Sequence, residues 1–322
     1  MNTREKIIKL IKERGQITAS EIAEYLDISR QALYRHLPEL LIGKQIIKIG
    51  HPPKVFYTLN KQKLENSSYV IDNEIKKIID HNYYIITPSG KKMEGLAGFV
   101  YWCEKQELPI EKTAKEYIDT LKKYSNFRRD GLIDGMQKIA GTFKEAYLDD
   151  IYYLDFYSIE RFGKTKLGQM LLYAKQSQNK KLMKELIDDI RLTVERLIKK
   201  FKIDGVCFVP PTVKREVQFM NELRKKLNLS VREIAITKIK TDIIIPQKTL
   251  NKLQDRIENA QTTFVVQETG FFKNILLIDD AVGSGATLNE IARKIKEKNI
   301  AKKVVGLTIT GSFKGFDVIS EV

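Results

Sequence analysis

Cysteine is scarce in this sequence, which has two cysteines among 322 residues. Cys103 and Cys207 lie far apart, and neither has a second cysteine at the short spacing that zinc sites use. Two distant cysteines also do not make the disulfide framework of a small secreted domain. We therefore predict neither a metal site nor a disulfide-stabilised fold, and the composition favours a reducing compartment.

Long apolar runs are absent as well. No stretch approaches the roughly 18 apolar residues that a membrane-spanning helix needs. The N-terminal residues alternate between charged and apolar types, unlike the apolar centre of a signal peptide. We therefore expect a cytoplasmic protein with no membrane partner, and its length permits more than one domain.

The strongest functional signal lies in residues 274–288. They read Asn-Ile-Leu-Leu-Ile-Asp-Asp-Ala-Val-Gly-Ser-Gly-Ala-Thr-Leu, and the apolar run is typical of a parallel strand that is covered on both faces. Leu288, Ile291, Ala292 and Ile295 then recur at helical spacing. The order predicts a strand, a ligand-binding loop and a helix.

The predicted loop has the residues of an anion site. Gly283 and Gly285 lack a Cβ, so the backbone can turn sharply and expose consecutive N–H groups toward an anion. Ser284 and Thr287 add hydroxyl donors, and the N-terminus of the following helix attracts negative charge. A phosphate fits there without a lysine.

Two adjacent acids precede this loop. Carboxylates repel a bare phosphate, but they can accept hydrogen bonds from the vicinal hydroxyls of a ribose. The alternative is a strand followed by an acidic turn and a glycine bend, which is common in proteins. We predict a sugar-phosphate site formed by Asp279, Asp280, Ala281, Val282, Gly283, Ser284, Gly285, Ala286 and Thr287.

This segment resembles the phosphoribosyl pyrophosphate motif of type I phosphoribosyltransferases, in which Asp-Asp precedes a Thr-Thr-Gly-like turn and a further threonine. Gly283-Ser284 replaces the usual pair of threonines. The resemblance covers about residues 153–322. It implies a parallel sheet flanked by helices and, as ligand, phosphoribosyl pyrophosphate with Mg²⁺ or a nucleotide.

Two further segments are similar to the ComF-like branch of that family. One runs from Gln247 to Phe264, and the other, residues 209–218, stands where those proteins carry an Arg-Gly-Phe-Asn-Gln sequence. Glu216 and Val217 depart from that sequence, in which glycine and an aromatic are usual. The resemblance implies pyrophosphate contacts from Lys214 and Arg215, with Lys238, Lys240 and Arg256 as further candidates. Ordinary surface charge is the alternative for each of these five side chains.

The first 60 residues have a different organisation. Helical patterns occur in 5–14 and in 18–26, where Thr-Ala-Ser-Glu forms a capping box. A third helical pattern follows Ser29, which can serve as its N-cap. Residues 46–49 and 55–59 read as two strands around an exposed tip. This order resembles the winged helix-turn-helix domains of bacterial and archaeal regulators.

That resemblance implies that the third helix enters the major groove of double-stranded DNA. Pro38 is unusual in a recognition helix, because an interior proline removes a backbone hydrogen bond. We expect Pro38 to end early the part of the helix that reads DNA. The alternative is a small domain for protein contacts whose polar face is merely solvated. The residues expected to contact DNA are Arg30, Gln31, Tyr34 and Arg35 on the helix and His51 and Lys54 on the wing.

The net charge of +15 is compatible with both predicted sites. An excess of basic residues favours a polyanionic partner, and either DNA or a pyrophosphorylated sugar would qualify. Many lysines are nevertheless spread through amphipathic patterns such as 180–202, where a solvated helix face explains them. Charge alone therefore does not choose between the partners.

These patterns together predict an α/β protein with three parts. Residues 1–62 form a winged helix-turn-helix, 63–148 a mainly helical connector, and 149–322 a phosphoribosyltransferase-like domain with a parallel sheet flanked by helices. A homodimer is the default for both families that the chain resembles.

Two functions are compatible with this layout. The first is a transcription regulator, similar in layout to purine-repressor-type regulators, that binds phosphoribosyl pyrophosphate or a nucleotide and also DNA. The second is an active transferase that moves phosphoribose to a nucleobase, with Mg²⁺ and basic side chains stabilising the departing pyrophosphate. In that case the winged helix serves autoregulation or docking. The fused DNA-binding part favours the regulator.

Overall fold

The computed structural model describes residues 2–60, 69–239, 242–243 and 245–312. The chain divides into two compact units, unit 1 (Met1–Val70) and unit 2 (Ile71–Val322). The two boundaries expected between the three sequence-predicted domains stay a prediction. None of the described helices is both long and apolar enough to cross a membrane.

Unit 1 consists of three helices and a small antiparallel sheet. The capping box predicted at the second helix is confirmed, because Glu21 N donates to Thr18 Oγ1 at 3.2 Å and Thr18 N donates to Glu21 Oε2 at 2.8 Å. The strands lie in the order β1-β3-β2. The elements are α1 (Thr3–Arg14), β1 (Ile17–Thr18), α2 (Ala19–Tyr25), α3 (Arg30–Ile42), β2 (Ile46–His51) and β3 (Lys54–Leu59).

Helix α3 continues through Pro38, so the proline does not end the helix, and the expectation that the DNA-reading portion ends early stays a prediction. Leu37 and Leu40, on either side of Pro38, are buried in the core of unit 1 together with Leu33. Their burial offsets the backbone hydrogen bond that proline cannot donate. The helix therefore reaches Ile42.

Unit 2 contains the remaining elements. Its helices are α4 (Asn73–Asn82), α5 (Gly95–Lys105), α6 (Ile110–Ser125), α7 (Met136–Thr142), α8 (Lys166–Ser177), α9 (Lys180–Lys200), α10 (Phe219–Leu227), α11 (Leu253–Thr263) and α12 (Ala286–Glu297). Its strands are β4 (Tyr84–Ile86), β5 (Lys92–Glu94), β6 (Arg128–Arg129), β7 (Leu132–Asp134), β8 (Asp150–Phe156), β9 (Ser158–Ile159), β10 (Gly163–Lys164), β11 (Gly205–Phe208), β12 (Arg232–Glu233), β13 (Ala235–Lys238), β14 (Phe264–Gln267), β15 (Phe272–Val282) and β16 (Ala301–Gly311).

Seven strands form the main sheet of unit 2, in the order β12-β11-β15-β16-β8-β7-β6. The five strands from β12 to β8 are parallel, and β7 and β6 extend the sheet in antiparallel fashion. The segment between the two predicted domains therefore supplies two edge strands as well as helices. The predicted α/β class with a parallel sheet flanked by helices is confirmed.

Strand β15 is covered on both faces, which explains its continuous apolar run. Ile275 and Leu277 lie in one core cluster with α12, whereas Leu276 and Ile278 lie in a second cluster with α8, α9 and α10. The chain leaves β11 through α10 toward β12, and it leaves β15 through α12 toward β16 on the other side. The carboxyl ends of β11 and β15 thus form a topological switch point, where open α/β sheets bind ligands.

Candidate functional site

The predicted order of strand, loop and helix is confirmed at the carboxyl end of β15. Asp279 and Asp280 lie near the end of this strand, the glycine loop follows at 283–285, and α12 begins at Ala286. Because β15 lies between β11 and β16, these residues stand at the switch point of the sheet.

Gly285 fixes the geometry of the loop. It has a φ of 85° and is the N-cap of α12, where it provides no side-chain hydrogen bond. Ser284 Oγ accepts a hydrogen bond from Ala286 N at 3.3 Å. The N–H groups of Thr287 and Leu288, in the first turn, have no carbonyl partner within the helix. The loop and the helix start therefore offer donors to an anion.

The two acids lie close to a lysine that the sequence analysis did not single out. Asp280 Oδ2 lies 2.6 Å from Lys175 Nζ in the last turn of α8, with the Asp280 side chain 16% exposed and that of Lys175 32% exposed. Asp279 Oδ1 accepts a hydrogen bond from Asp280 N at 2.8 Å. Burial and the neighbouring Asp280 carboxylate raise the pKa of Asp279. The acids thus form a partly neutralised cluster.

A cavity of about 260 Å³ opens above these residues, and it is lined by every residue from 279 to 288. Two of the predicted pyrophosphate contacts, Arg215 and Arg256, line it as well. The Arg215 guanidinium donates to the carbonyl oxygen of Lys175. Arg256 Nε donates to Leu250 O at 2.7 Å, and burial lowers the pKa of Arg256. Cationic side chains therefore face the loop from a second side.

Two other predicted pyrophosphate contacts, Lys238 and Lys214, do not line this cavity. Lys238 lines a small adjoining cavity of about 70 Å³, where its Nζ donates to Thr212 Oγ1 at 2.7 Å and lies 4.6 Å from the centroid of the Phe264 ring. Burial lowers the pKa of Lys238 to about 8. Lys214 is exposed and does not line the cavity, and Lys240 lies outside the described residues.

The residues of this cavity do not fit a protein-held Mg²⁺. Asp279 and Asp280 are the only acids among the lining residues, and one oxygen of Asp280 already contacts an ammonium group. In the described part of the chain, no group of three or more His, Cys, Asp or Glu residues could hold a metal. Mg²⁺ prefers near-octahedral oxygen coordination, which two carboxylates alone do not supply.

The predicted DNA-contacting residues of α3 lie on the solvent side of unit 1. Arg30, Gln31, Tyr34 and Arg35 are exposed, whereas Leu33 faces the core. The residues that the structure describes form no ion pair with either arginine. The helix face is therefore available to a partner.

The predicted wing hairpin is confirmed. β2 pairs with β3 in antiparallel register, with His51 opposite Lys54. The Lys54 side chain is exposed at this end of the hairpin. The tip of the wing therefore carries one of the two predicted wing contacts on its surface.

Three solved structures are similar to part of this chain. An adenine phosphoribosyltransferase matches with 16% identity and a TM-score of 0.28, over 42% of this chain and 73% of that one. A hypoxanthine-guanine phosphoribosyltransferase from Bacillus anthracis str. 'Ames Ancestor' matches with 14% identity and a TM-score of 0.27, over 40% and 66%. A hypoxanthine phosphoribosyltransferase from Staphylococcus aureus matches with 16% identity and a TM-score of 0.25, over 39% and 62%. Scores at this level carry no argument about what the chain does.

A comparison with curated proteins gives no match. Residues 3–41 match a family model described as an HTH domain, and this range contains α1, α2 and nearly all of α3. The predicted helix-turn-helix of unit 1 is thereby confirmed. The chain therefore joins a helix-turn-helix domain to a unit built on a mainly parallel sheet.

Proposed function

We propose that this chain is a transcription regulator that binds a phosphoribosyl ligand in unit 2 and double-stranded DNA through unit 1. The ligand is phosphoribosyl pyrophosphate or a nucleotide. The observation that carries this proposal is the arrangement at the end of β15, where Asp279, Asp280 and the glycine loop line one cavity at the switch point of the sheet.

Each part of a phosphoribosyl group has a complementary partner in this cavity. The backbone N–H groups of the loop and of the α12 start suit the 5′-phosphate. The carboxylates of Asp279 and Asp280 suit the ribose hydroxyls, because ionised carboxylates accept hydrogen bonds and donate none. Arg215 and Arg256 add positive charge for further phosphate groups. This combination supports a sugar-phosphate ligand over a neutral metabolite.

Unit 1 supplies the DNA contact in this proposal. The exposed side chains of α3 are long and polar or cationic, as major-groove recognition requires. Lys54 on the wing adds a phosphate or minor-groove contact. A homodimer would present two such helices to two half-sites of an operator. Ligand binding can regulate DNA binding only if the chain has a state that binds DNA and a state that does not, and the ligand binds one of them more tightly.

A transferase is the second candidate. The observation that favours it is the position of Arg215 and Arg256 beside the loop, where cations would stabilise a departing pyrophosphate. In that reaction a base nitrogen forms a bond to the anomeric carbon, and the bond from that carbon to the pyrophosphate oxygen breaks. Binding alone does not separate this candidate from the regulator.

The deciding experiment is calorimetric titration of the full chain with phosphoribosyl pyrophosphate, followed in the same sample by pyrophosphate release with a panel of nucleobases. Binding without release would support the regulator. Base-dependent release would support the transferase. Absence of binding would contradict both functions.

A further inference from the structure

We infer that Lys175 is the resident cation of the ligand site and that it allows this site to bind ribose 5-phosphate without Mg²⁺. The inference rests on the proposed phosphoribosyl site and concerns what balances the charge of its two acids. It assigns a specificity role to a residue of α8, outside the strand-loop-helix segment that forms the rest of the site.

Lys175 is held in place from two directions. Its Nζ lies 2.6 Å from Asp280 Oδ2, and its carbonyl oxygen accepts a hydrogen bond from the Arg215 guanidinium. Its position in the last turn of α8 also suits a cation, because the helix dipole is negative there. The ammonium group is therefore a fixed part of the cavity wall, which it lines together with Asp279 and Asp280.

The ion pair leaves room for two ribose hydroxyls. Asp279 uses Oδ1 to accept from Asp280 N, and Asp280 uses Oδ2 to contact Lys175. Within the described ranges, Asp279 Oδ2 and Asp280 Oδ1 accept no hydrogen bond. Two carboxylate oxygens thus remain for two vicinal hydroxyls, while the lysine keeps the pair from presenting two unbalanced charges.

A divalent cation has no corresponding place. To coordinate Asp280 fully it would displace Lys175, and the displaced ammonium would still lie beside it in the same wall. Lys175 already balances the charge of Asp280, and burial disfavours the ionised form of Asp279, so little negative charge is left to attract a Mg²⁺ that two carboxyl groups would in any case coordinate poorly.

The test uses ribose 5-phosphate as the probe, since it lacks the pyrophosphate group that itself carries Mg²⁺. Its affinity for the full chain is measured by calorimetry in EDTA and in excess Mg²⁺. We expect the two dissociation constants to agree within about twofold. Lys175→Met should weaken binding in EDTA by about tenfold or more, and Mg²⁺ should restore part of that loss. Lys175→Arg should retain binding in EDTA.

A matched control is Lys180→Met, which removes an exposed lysine five residues further along and should leave both constants unchanged. Far-UV circular dichroism checks that each variant is folded. If the natural sequence binds ribose 5-phosphate only in Mg²⁺, the inferred role of Lys175 is wrong, but the phosphoribosyl site is still supported. Unchanged affinity of Lys175→Met in EDTA would also overturn that role. Absence of binding in both buffers would overturn the site and the inference together.

Discussion

A Cβ atom placed on Gly285 would lie 2.3 Å from Ile139 Cδ1, so the glycine loop at 283–285 packs directly against α7. Ile139 is fully buried and belongs to the core cluster that also contains Leu288 of α12. A side chain at this position would therefore displace the end of the buried Ile139 side chain. The φ of 85° excludes most other residues independently.

Gly285→Ala should therefore weaken both the fold and the site. The positive φ and the contact with Ile139 together should lower the free energy of unfolding by about 1–3 kcal/mol. Urea unfolding measures this change, and calorimetry with ribose 5-phosphate should show reduced binding. Gly283→Ala is the matched control, because a Cβ there meets only Arg256 Nη1 at 3.5 Å. Equal effects at the two glycines would contradict the prediction.

Changing Asp279 and Asp280 together to asparagine should abolish the ribose contact. The amide is a poorer acceptor than a carboxylate, and Lys175 would lose its ion pair. We expect the affinity for ribose 5-phosphate to fall roughly a hundredfold. The charge-matched control is Glu104→Gln with Glu107→Gln, two exposed acids outside the cavity. Retained affinity in the asparagine variant would refute the ribose site.

Lys238 should make stability depend on pH. Burial lowers its pKa to about 8 in the folded chain, below the usual 10.5, so the unfolded chain binds more protons between these values. The free energy of unfolding should therefore rise with pH across this range, by at most about 3 kcal/mol, because each unit of pKa difference corresponds to about 1.4 kcal/mol and residual solvent exposure reduces the effect. Unfolding at a series of pH values should show this slope reduced in Lys238→Met. The control is Lys214→Met, which changes an exposed lysine and should leave the dependence of the unfolding free energy on pH unchanged.

Arg30→Ala with Arg35→Ala should remove sequence-specific DNA binding. Both side chains are exposed on α3, and loss of two base or phosphate contacts should weaken binding by roughly a hundredfold. Fluorescence anisotropy with a selected operator measures this, and circular dichroism confirms the fold. Lys9→Ala with Lys12→Ala removes the same charge from α1 and should have a smaller effect. Unchanged binding in the α3 variant would mean that another face of unit 1 contacts DNA.

Local patterns were sufficient to predict the strand, loop and helix at residues 274–288, because each of these elements depends on residues close together in the sequence. The same holds for the capping box at Thr18 and Glu21. The partner of Asp280 could not be predicted, since Lys175 lies 105 residues earlier and approaches only when α8 packs against the sheet. Helix propensity likewise does not predict that α3 continues through Pro38, because the continuation depends on the buried leucines around the proline.

The position of β8 in the main sheet also sets an order of events during synthesis. β8 ends at Phe156, yet its parallel neighbour is β16, which ends at Gly311. Unit 1, in contrast, is a compact unit formed by the first 70 residues. We expect the helix-turn-helix to fold on the ribosome long before the ligand site exists, which limited proteolysis of stalled nascent chains would check. Each newly made chain would then pass through an interval in which it can contact DNA and cannot yet respond to a ligand.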